Sequence, residues 1–356
     1  MAGIVSGAAE GECHPASVAV VGSLRPVSGT AGEILGLLRE WDAAADPDPL
    51  VIETSGSTGR AKRVLLSRDA MRASALATQE RLGGPGQWVL NLPPTHVAGV
   101  QVLYRSVVAG TEPVITDDVV EARGQVVEDR SYLSLVPTQF HRLLEIPAAV
   151  AALAAFDTVL VGGAAFDPQL RARAEGAGIR VVSTYGMSET CGGCVYDGQP
   201  LAGVEVRVDD GHVLLRGPVL FDGYEDDPEL TRATLRDGWL VTHDLGEIGP
   251  DGRLRITGRD DDMVTSGGVK VPAPAVADRI RAHRSIQAAE VLGVPDEKWG
   301  ERVVAFVVGD LELDGLRDWV AIECPRSWAP RQLVPVEELP LLPNGKVDRM
   351  ALRELA

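Results

Sequence analysis

Short aliphatic and β-branched runs alternate with helically spaced apolar residues through the first half of the chain. A run over 50–53 enters a loop rich in Gly, Ser and Thr, and further strand-like runs fall at 88–92, 131–136, 157–161 and 179–183. Between them, 97–109 reads as a buried helix, Pro137 opens a helix carrying Phe140, Leu143 and Leu144, and 168–177 is helical. Strands separated by helices predict βαβ units stacked in layers. Beyond about Gly198 the pattern changes to short strands at 204–208, 213–216 and 254–257 with Gly and Asp turns between them, as in a β-meander or small barrel. The polar stretch 258–262 ends this region. After it the chain starts again with a helix at 275–283, strands at 287–294 and 302–308, and a Pro- and Gly-punctuated tail ending on a short helix. The expected fold class is α/β: a large layered αβ N-terminal domain with a β-meander over 1–258, and a small α+β C-terminal domain over 259–356.

A chain of 356 residues suits this division, being long for one core. Its net charge of -17 argues against nucleic acid or an acidic membrane surface as a general partner, because either needs a basic face. No apolar run approaches the ~20 residues that span a bilayer. The first eleven residues lack a basic segment followed by an apolar one, so no signal peptide is expected and the cytoplasm is the expected location. Four cysteines make no disulfide framework. Cys191 and Cys194 form a Cys-x-x-Cys, but no second pair or close His pair follows to complete a zinc site. Packing in a Gly-rich turn is the expectation for both.

The segment Thr54, Ser55, Gly56, Ser57, Thr58, Gly59, Arg60, Ala61, Lys62 follows a strand and concentrates hydroxyls, glycines and an ammonium. Glycines let backbone N–H groups turn toward an anion, hydroxyls add donors and the lysine adds charge. A Walker loop needs four residues between its glycines and Ser or Thr after the lysine. Here two residues separate Gly56 from Gly59, and Arg63 follows Lys62. In isolation the loop also fits a flexible Ser/Gly turn.

The loop is not isolated. It resembles the phosphate-binding signature of the adenylate-forming superfamily of acyl-CoA synthetases, luciferases and adenylation domains. Further matches follow in order: Tyr185-Gly-Met-Ser-Glu-Thr190, Gly217-Pro with Gly223-Tyr224, Thr242-His-Asp-Leu-Gly-Glu247, Gly258-Arg-Asp-Asp-Asp through Lys270, and Pro343-Asn-Gly-Lys-Val-Asp-Arg349. The resemblance implies ATP, Mg²⁺ and coenzyme A as cofactors. It also implies an acyl-adenylate formed by carboxylate attack on the α-phosphorus, followed by transfer to a thiol. In this reading residues 54–59 and Lys62 hold the β- and γ-phosphates, Ser188 the α-phosphate, and Glu189 the metal. Gly163, Ala164, Tyr185 and Gly186 enclose adenine, while Asp244 and Arg259 bind ribose. Lys346 is the lysine that bridges carboxylate and phosphate, brought in by a mobile small domain. Asp261 is the hinge, and Gly267, Gly268 and Lys270 line the pantetheine path. Ala61 and Arg63 depart from the family's usual Pro and Gly, which puts the dynamics of the loop in question.

The phosphate loop begins near residue 54, so most of the usual N-terminal subdomain is expected to be missing. That feature and the stretch 92–105 most resemble short o-succinylbenzoate–CoA ligases of menaquinone biosynthesis. His96 stands where the family places a gate to the acyl pocket. Gln101 and Arg105, one helical turn apart, with Thr138 and Gln139, are the expected partners of a retained substrate carboxylate. The alternative within the superfamily is an acid-activating enzyme that loads a carrier-protein thiol. Relatives that associate make a homodimer the expected assembly.

Overall fold

The computed structural model describes residues 22–54, 62–164, 166–341 and 347–356. Its largest sheet has seven strands. Val114–Ile115, Gln87–Leu90, Ser131–Leu135, Thr158–Gly162 and Val181–Met187 lie side by side and parallel in that order. Gly192–Tyr196 and Gln199–Pro200 continue the edge antiparallel. The parallel strands are covered on both faces, as near-continuous apolar runs require, and their alternation sorts residues into two cores. Trp88, Leu90, Tyr132 and Leu160 join one core with the helices Arg68–Leu82 and Val97–Ala109. Val89, Leu133, Leu135, Val159 and Val161 join the other with Val119–Gln125, Pro137–Leu144, Pro147–Ala154 and Pro168–Gly176.

The helix at 97–109 has the expected bounds. The strand expected at 88–92 ends instead at Leu90, ahead of Pro93 and Pro94, whose missing N–H groups cannot extend a ladder. The strand expected at 179–183 runs on to Met187, so Tyr185 and Gly186 lie in the sheet. Cys194 likewise sits in a strand rather than a turn. Both cysteines of the pair are fully buried, and burial pushes both thiols up, Cys194 to about 12. Both join the large core with Val195 and Tyr196.

The meander is a five-stranded antiparallel sheet of Glu205–Asp209, His212–Arg216, Leu235–Arg236, Trp239–Ile248 and Leu254–Arg259. A separate three-stranded sheet joins Leu50–Thr54, Lys62–Leu66 and Gly223–Tyr224, with Lys62–Leu66 antiparallel to both neighbours. After a short 3₁₀ turn, Asp260–Asp262, the remaining strands form their own sheet. Ile286–Asp296 pairs with Gly300–Gly309, and helices Ala273–Arg281 and Leu313–Ala321 share its core. The result is α/β, with a large N-terminal and a small C-terminal domain.

Candidate active site at the carboxyl edge of the sheet

In an open parallel sheet, ligands bind outside the carboxyl ends of the strands, where the strand order reverses. Here the chain leaves Gln87–Leu90, builds its neighbour on one side, Val114–Ile115, and then returns to build Ser131–Leu135 on the other. The reversal therefore lies at Leu90. Gln139 spans it: its Oε1 accepts from the Val136 N–H at 3.1 Å, and its Nε2 donates to the Asn91 carbonyl at 3.2 Å. Its amide is thus used in holding two strand ends together. Thr138, the next residue back, is exposed.

His96 takes the N-cap position of Val97–Ala109, with Thr95 Oγ1 3.5 Å from its Nδ1. The turn before it packs tightly because Gly99 has no side chain; a Cβ there would lie 2.1 Å from the Pro93 carbonyl oxygen. Gln101 and Arg105 do share a face, but it is the buried one. Gln101 Nε2 points at Met71 Sδ, 3.4 Å away. Arg105 lies against the Trp88 ring and donates to Tyr196 Oη at 3.3 Å. It borders a small cavity with Gly84, Gly86 and Tyr132, toward the amino ends of the strands. Nine residues at ~1.5 Å each separate Arg105 from His96 along the axis, so the two do not converge on one ligand.

Two strands along, Gly163 and Ala164 end Thr158–Gly162, exposed at the same edge. Gly163 has a φ of +87°, a left-handed conformation natural to glycine. Gly186 packs directly on the neighbouring strand: a Cβ there would sit 2.1 Å from the Gly192 carbonyl oxygen. Ser188–Thr190 then form a 3₁₀ turn, with Thr190 Oγ1 donating to the Gly192 carbonyl at 2.7 Å.

Asp244 enters this edge from the meander. In Trp239–Ile248 the buried positions Leu240, Thr242 and Asp244 recur with a period of two, so the register itself turns the carboxylate inward. A buried carboxylate needs partners. Its Oδ2 accepts from Tyr185 Oη at 2.6 Å and its Oδ1 from Arg259 Nη1 at 2.7 Å. Burial, then the Asp244 charge, push the Tyr185 phenol up, which keeps it a donor. Arg259 also clasps Asp261 through Nε at 2.7 Å and Nη2 at 2.8 Å. Burial raises the Asp261 carboxyl, but the Arg259 guanidinium outweighs it and holds the group below the usual carboxylate range.

A second constellation surrounds Glu189. Tyr224 Oη donates to its Oε1 at 2.8 Å, the Phe221 N–H donates to its carbonyl at 2.9 Å, and Lys62 Nζ lies 5.4 Å from the centre of the Tyr224 ring. Arg63 points to Glu53 and Glu225, at 3.4 and 2.5 Å, so the extra cation of the loop is neutralised locally. Tyr224 was not among the expected site residues; its only signal was the Gly-Tyr pair after Gly217-Pro.

On the small domain, Gly267 and Gly268 form a hairpin tip at φ +60° and +80°, with Gly267 against Trp299 and Lys270 exposed beside it. Ser55, Gly56, Ser57, Thr58, Gly59 and Lys346 lie outside the described residues. Among the described residues the structure brings His96, Gly163, Ala164, Tyr185, Gly186 and Ser188 to the edge of one sheet, with Asp244 and Arg259 joined to them through Tyr185. Mg²⁺ takes one or two carboxylates and completes its shell with phosphate oxygens and water. Glu189 fits that demand, because among the described residues its Oε2 has no hydrogen-bond donor.

Comparison with known proteins agrees with this geometry. Residues 16–225 match the AMP-binding enzyme family and residues 276–346 the AMP-binding enzyme C-terminal domain. A probable 2-succinylbenzoate–CoA ligase of Mycobacterium tuberculosis (strain H37Rv) is 43% identical over 335 residues, covering 90% of this chain and 87% of that protein. The Bacillus subtilis o-succinylbenzoate CoA synthetase, solved with its acyl-adenylate intermediate, superposes with a TM-score of 0.75 at 26% identity, over 85% of this chain and 68% of that one. ATP-bound MatB from Rhodopseudomonas palustris superposes with a TM-score of 0.77 at 26% identity, over 87% and 68%. The chain belongs to the AMP-binding enzyme family.

Proposed function

We propose that this protein is an AMP-forming acid–CoA ligase that converts 2-succinylbenzoate to its CoA thioester, the activity for which its 43%-identical relative is named. The observation that carries the chemistry is the pairing of Asp244 with Tyr185 and Arg259 at the sheet's carboxyl edge, one 3₁₀ turn from Glu189. A carboxylate is a poor electrophile: its charge repels nucleophiles, and its oxygen is a poor leaving group. Attack of its oxygen on the α-phosphorus of ATP makes a mixed anhydride and expels pyrophosphate. Attack of a thiolate on the acyl carbon then expels AMP.

Each group in the site has work in that sequence. Asp244 accepts from the ribose hydroxyls, with Arg259 and Tyr185 holding it in place. The flat surface beside Gly163 and Ala164 receives adenine with the Tyr185 ring. Lys62 and residues 54–59 take the terminal phosphates, and Ser188 donates to the α-phosphate. Glu189 would hold Mg²⁺, which would supply positive charge to the phosphates. His96 guards the acyl pocket, and Lys346 brings a cation to the attacking carboxylate. Domain 1–258 carries the nucleotide and acid; domain 259–356 turns about Asp261 and presents Gly267, Gly268 and Lys270 to the thiol arm. Gln139 holds the two strand ends at the reversal, Gln101 and Arg105 pack on the buried face of the helix 97–109, and Thr138 is left as an exposed polar group beside the reversal. No described helix is long and apolar enough to cross a membrane, and the reading places the enzyme in the cytoplasm as a homodimer.

With ATP, Mg²⁺, CoA and 2-succinylbenzoate, mass spectrometry should find AMP, pyrophosphate and the acyl-CoA. Substituted aryl acids, or a carrier protein in place of CoA, should yield far less. Faster turnover with a carrier protein would move the protein to the other branch of the superfamily, and ADP as product would refute the reading.

A further inference from the structure

We infer that Tyr224 is a positioning residue that sets Glu189 for metal and Lys62 for phosphate as one unit. The inference rests on the proposed roles of those two residues. Tyr224 is 6% exposed and opposes Val64 in the three-stranded sheet, which puts Lys62 diagonally across on the same face. Its ring lies 5.4 Å from the Lys62 ammonium nitrogen, within cation–π range. Its hydroxyl donates to Glu189 Oε1 at 2.8 Å, which engages one carboxylate oxygen and leaves Oε2 to a metal. The same segment grips Glu189 a second time, through the Phe221 N–H. Phe221 also stacks its ring edgewise on Tyr224, 4.9 Å between centroids, and the Tyr224 N–H donates to Thr231 Oγ1 at 2.9 Å. The phenol is therefore fixed from three sides. A neutral donor orients the carboxylate without discharging it, which an arginine in that place would do.

The test separates metal from nucleotide. Mn²⁺ binding in the presence of ATP is read by electron paramagnetic resonance, and metal-free ATP binding by calorimetry in EDTA. Tyr224→Phe keeps the ring and removes only the hydroxyl; it should weaken Mn²⁺ about tenfold, in line with a hydrogen bond to a charged group, and leave metal-free ATP within twofold. Tyr224→Leu, which also removes the ring, should weaken both. In the Glu189→Gln background, Tyr224→Phe should add little further loss, because its target charge is gone. Unchanged Mn²⁺ affinity in Tyr224→Phe, or equal loss of both ligands, would overturn the inference while leaving the ligase reading intact. A wild type that binds no ATP would overturn the reading beneath it.

Discussion

Asp244 is placed by the arithmetic of a strand, in which every second side chain faces the same way. Leu240 and Thr242 go inward ahead of it, and the carboxylate follows into a buried position where Tyr185 and Arg259 meet it. Asp244→Asn removes the charge and one acceptor without changing shape. It should raise the KM for ATP about 10- to 100-fold, the worth of hydrogen bonds to a charged group, with the unfolding midpoint little changed. Steady-state kinetics with ATP varied would check this. Asp244 was legible because a turn-like Thr-His-Asp-Leu-Gly sequence sits in a known order of motifs. Its partners were not, since Tyr185 and Asp244 are 59 residues apart and meet only through packing. Arg105 was misplaced for the converse reason. Helical spacing gave its face correctly, but only the sheet beneath decides that this face is buried and runs away from His96.

Elements hold these residues by contacts that are local in space and distant in sequence. Asp197, at a left-handed turn after Gly192–Tyr196, ties the helix Pro168–Gly176 to the strand Val181–Met187. Its Oδ1 accepts from Arg171 at 2.6 Å and from the Ser183 N–H at 2.9 Å. Burial raises the Asp197 carboxyl, but the Arg171 guanidinium and Ser183 outweigh it and leave the group below its ordinary 3.8. A depressed folded-state pKa contributes stability that is present above the unfolded value and lost as pH falls through the folded one. Asp197→Asn keeps a residue that tolerates the left-handed backbone and loses the charge. It should cost about 1 kcal/mol near pH 7, measured by denaturant unfolding, and the gap between variant and wild type should close below pH 3.8. A gap that is constant with pH would mean that the amide, not the charge, matters. The element boundaries were read to within a few residues wherever apolar runs were long. The ten-residue strand Trp239–Ile248 was not read at all, because its alternation carries Thr, Asp and Gly at inward positions where apolar residues mark a strand.

At the scale of the whole molecule, two sheets of different origin are joined through Arg259 and three consecutive aspartates. Asp260 lies 3.4 Å from His212 on the meander, Asp261 is held by Arg259, and Asp262 pairs with Arg349 at the start of the last helix. Arg259 and Arg349 thereby bring a cation to the acidic junction from each side, and the tail is anchored through Arg349 beside Asp262. The central claim is that this tail supplies a cation to one half-reaction and not to the other. The direct measurement is Lys346→Ala assayed in both halves: pyrophosphate release from ATP and 2-succinylbenzoate, and thioester formation from supplied acyl-adenylate and CoA. The account predicts that adenylation falls about a thousandfold or more, an electrostatic loss of roughly 4 kcal/mol, while thioester formation stays within a few-fold of wild type. Equal loss in both halves, or no loss in adenylation, would contradict it.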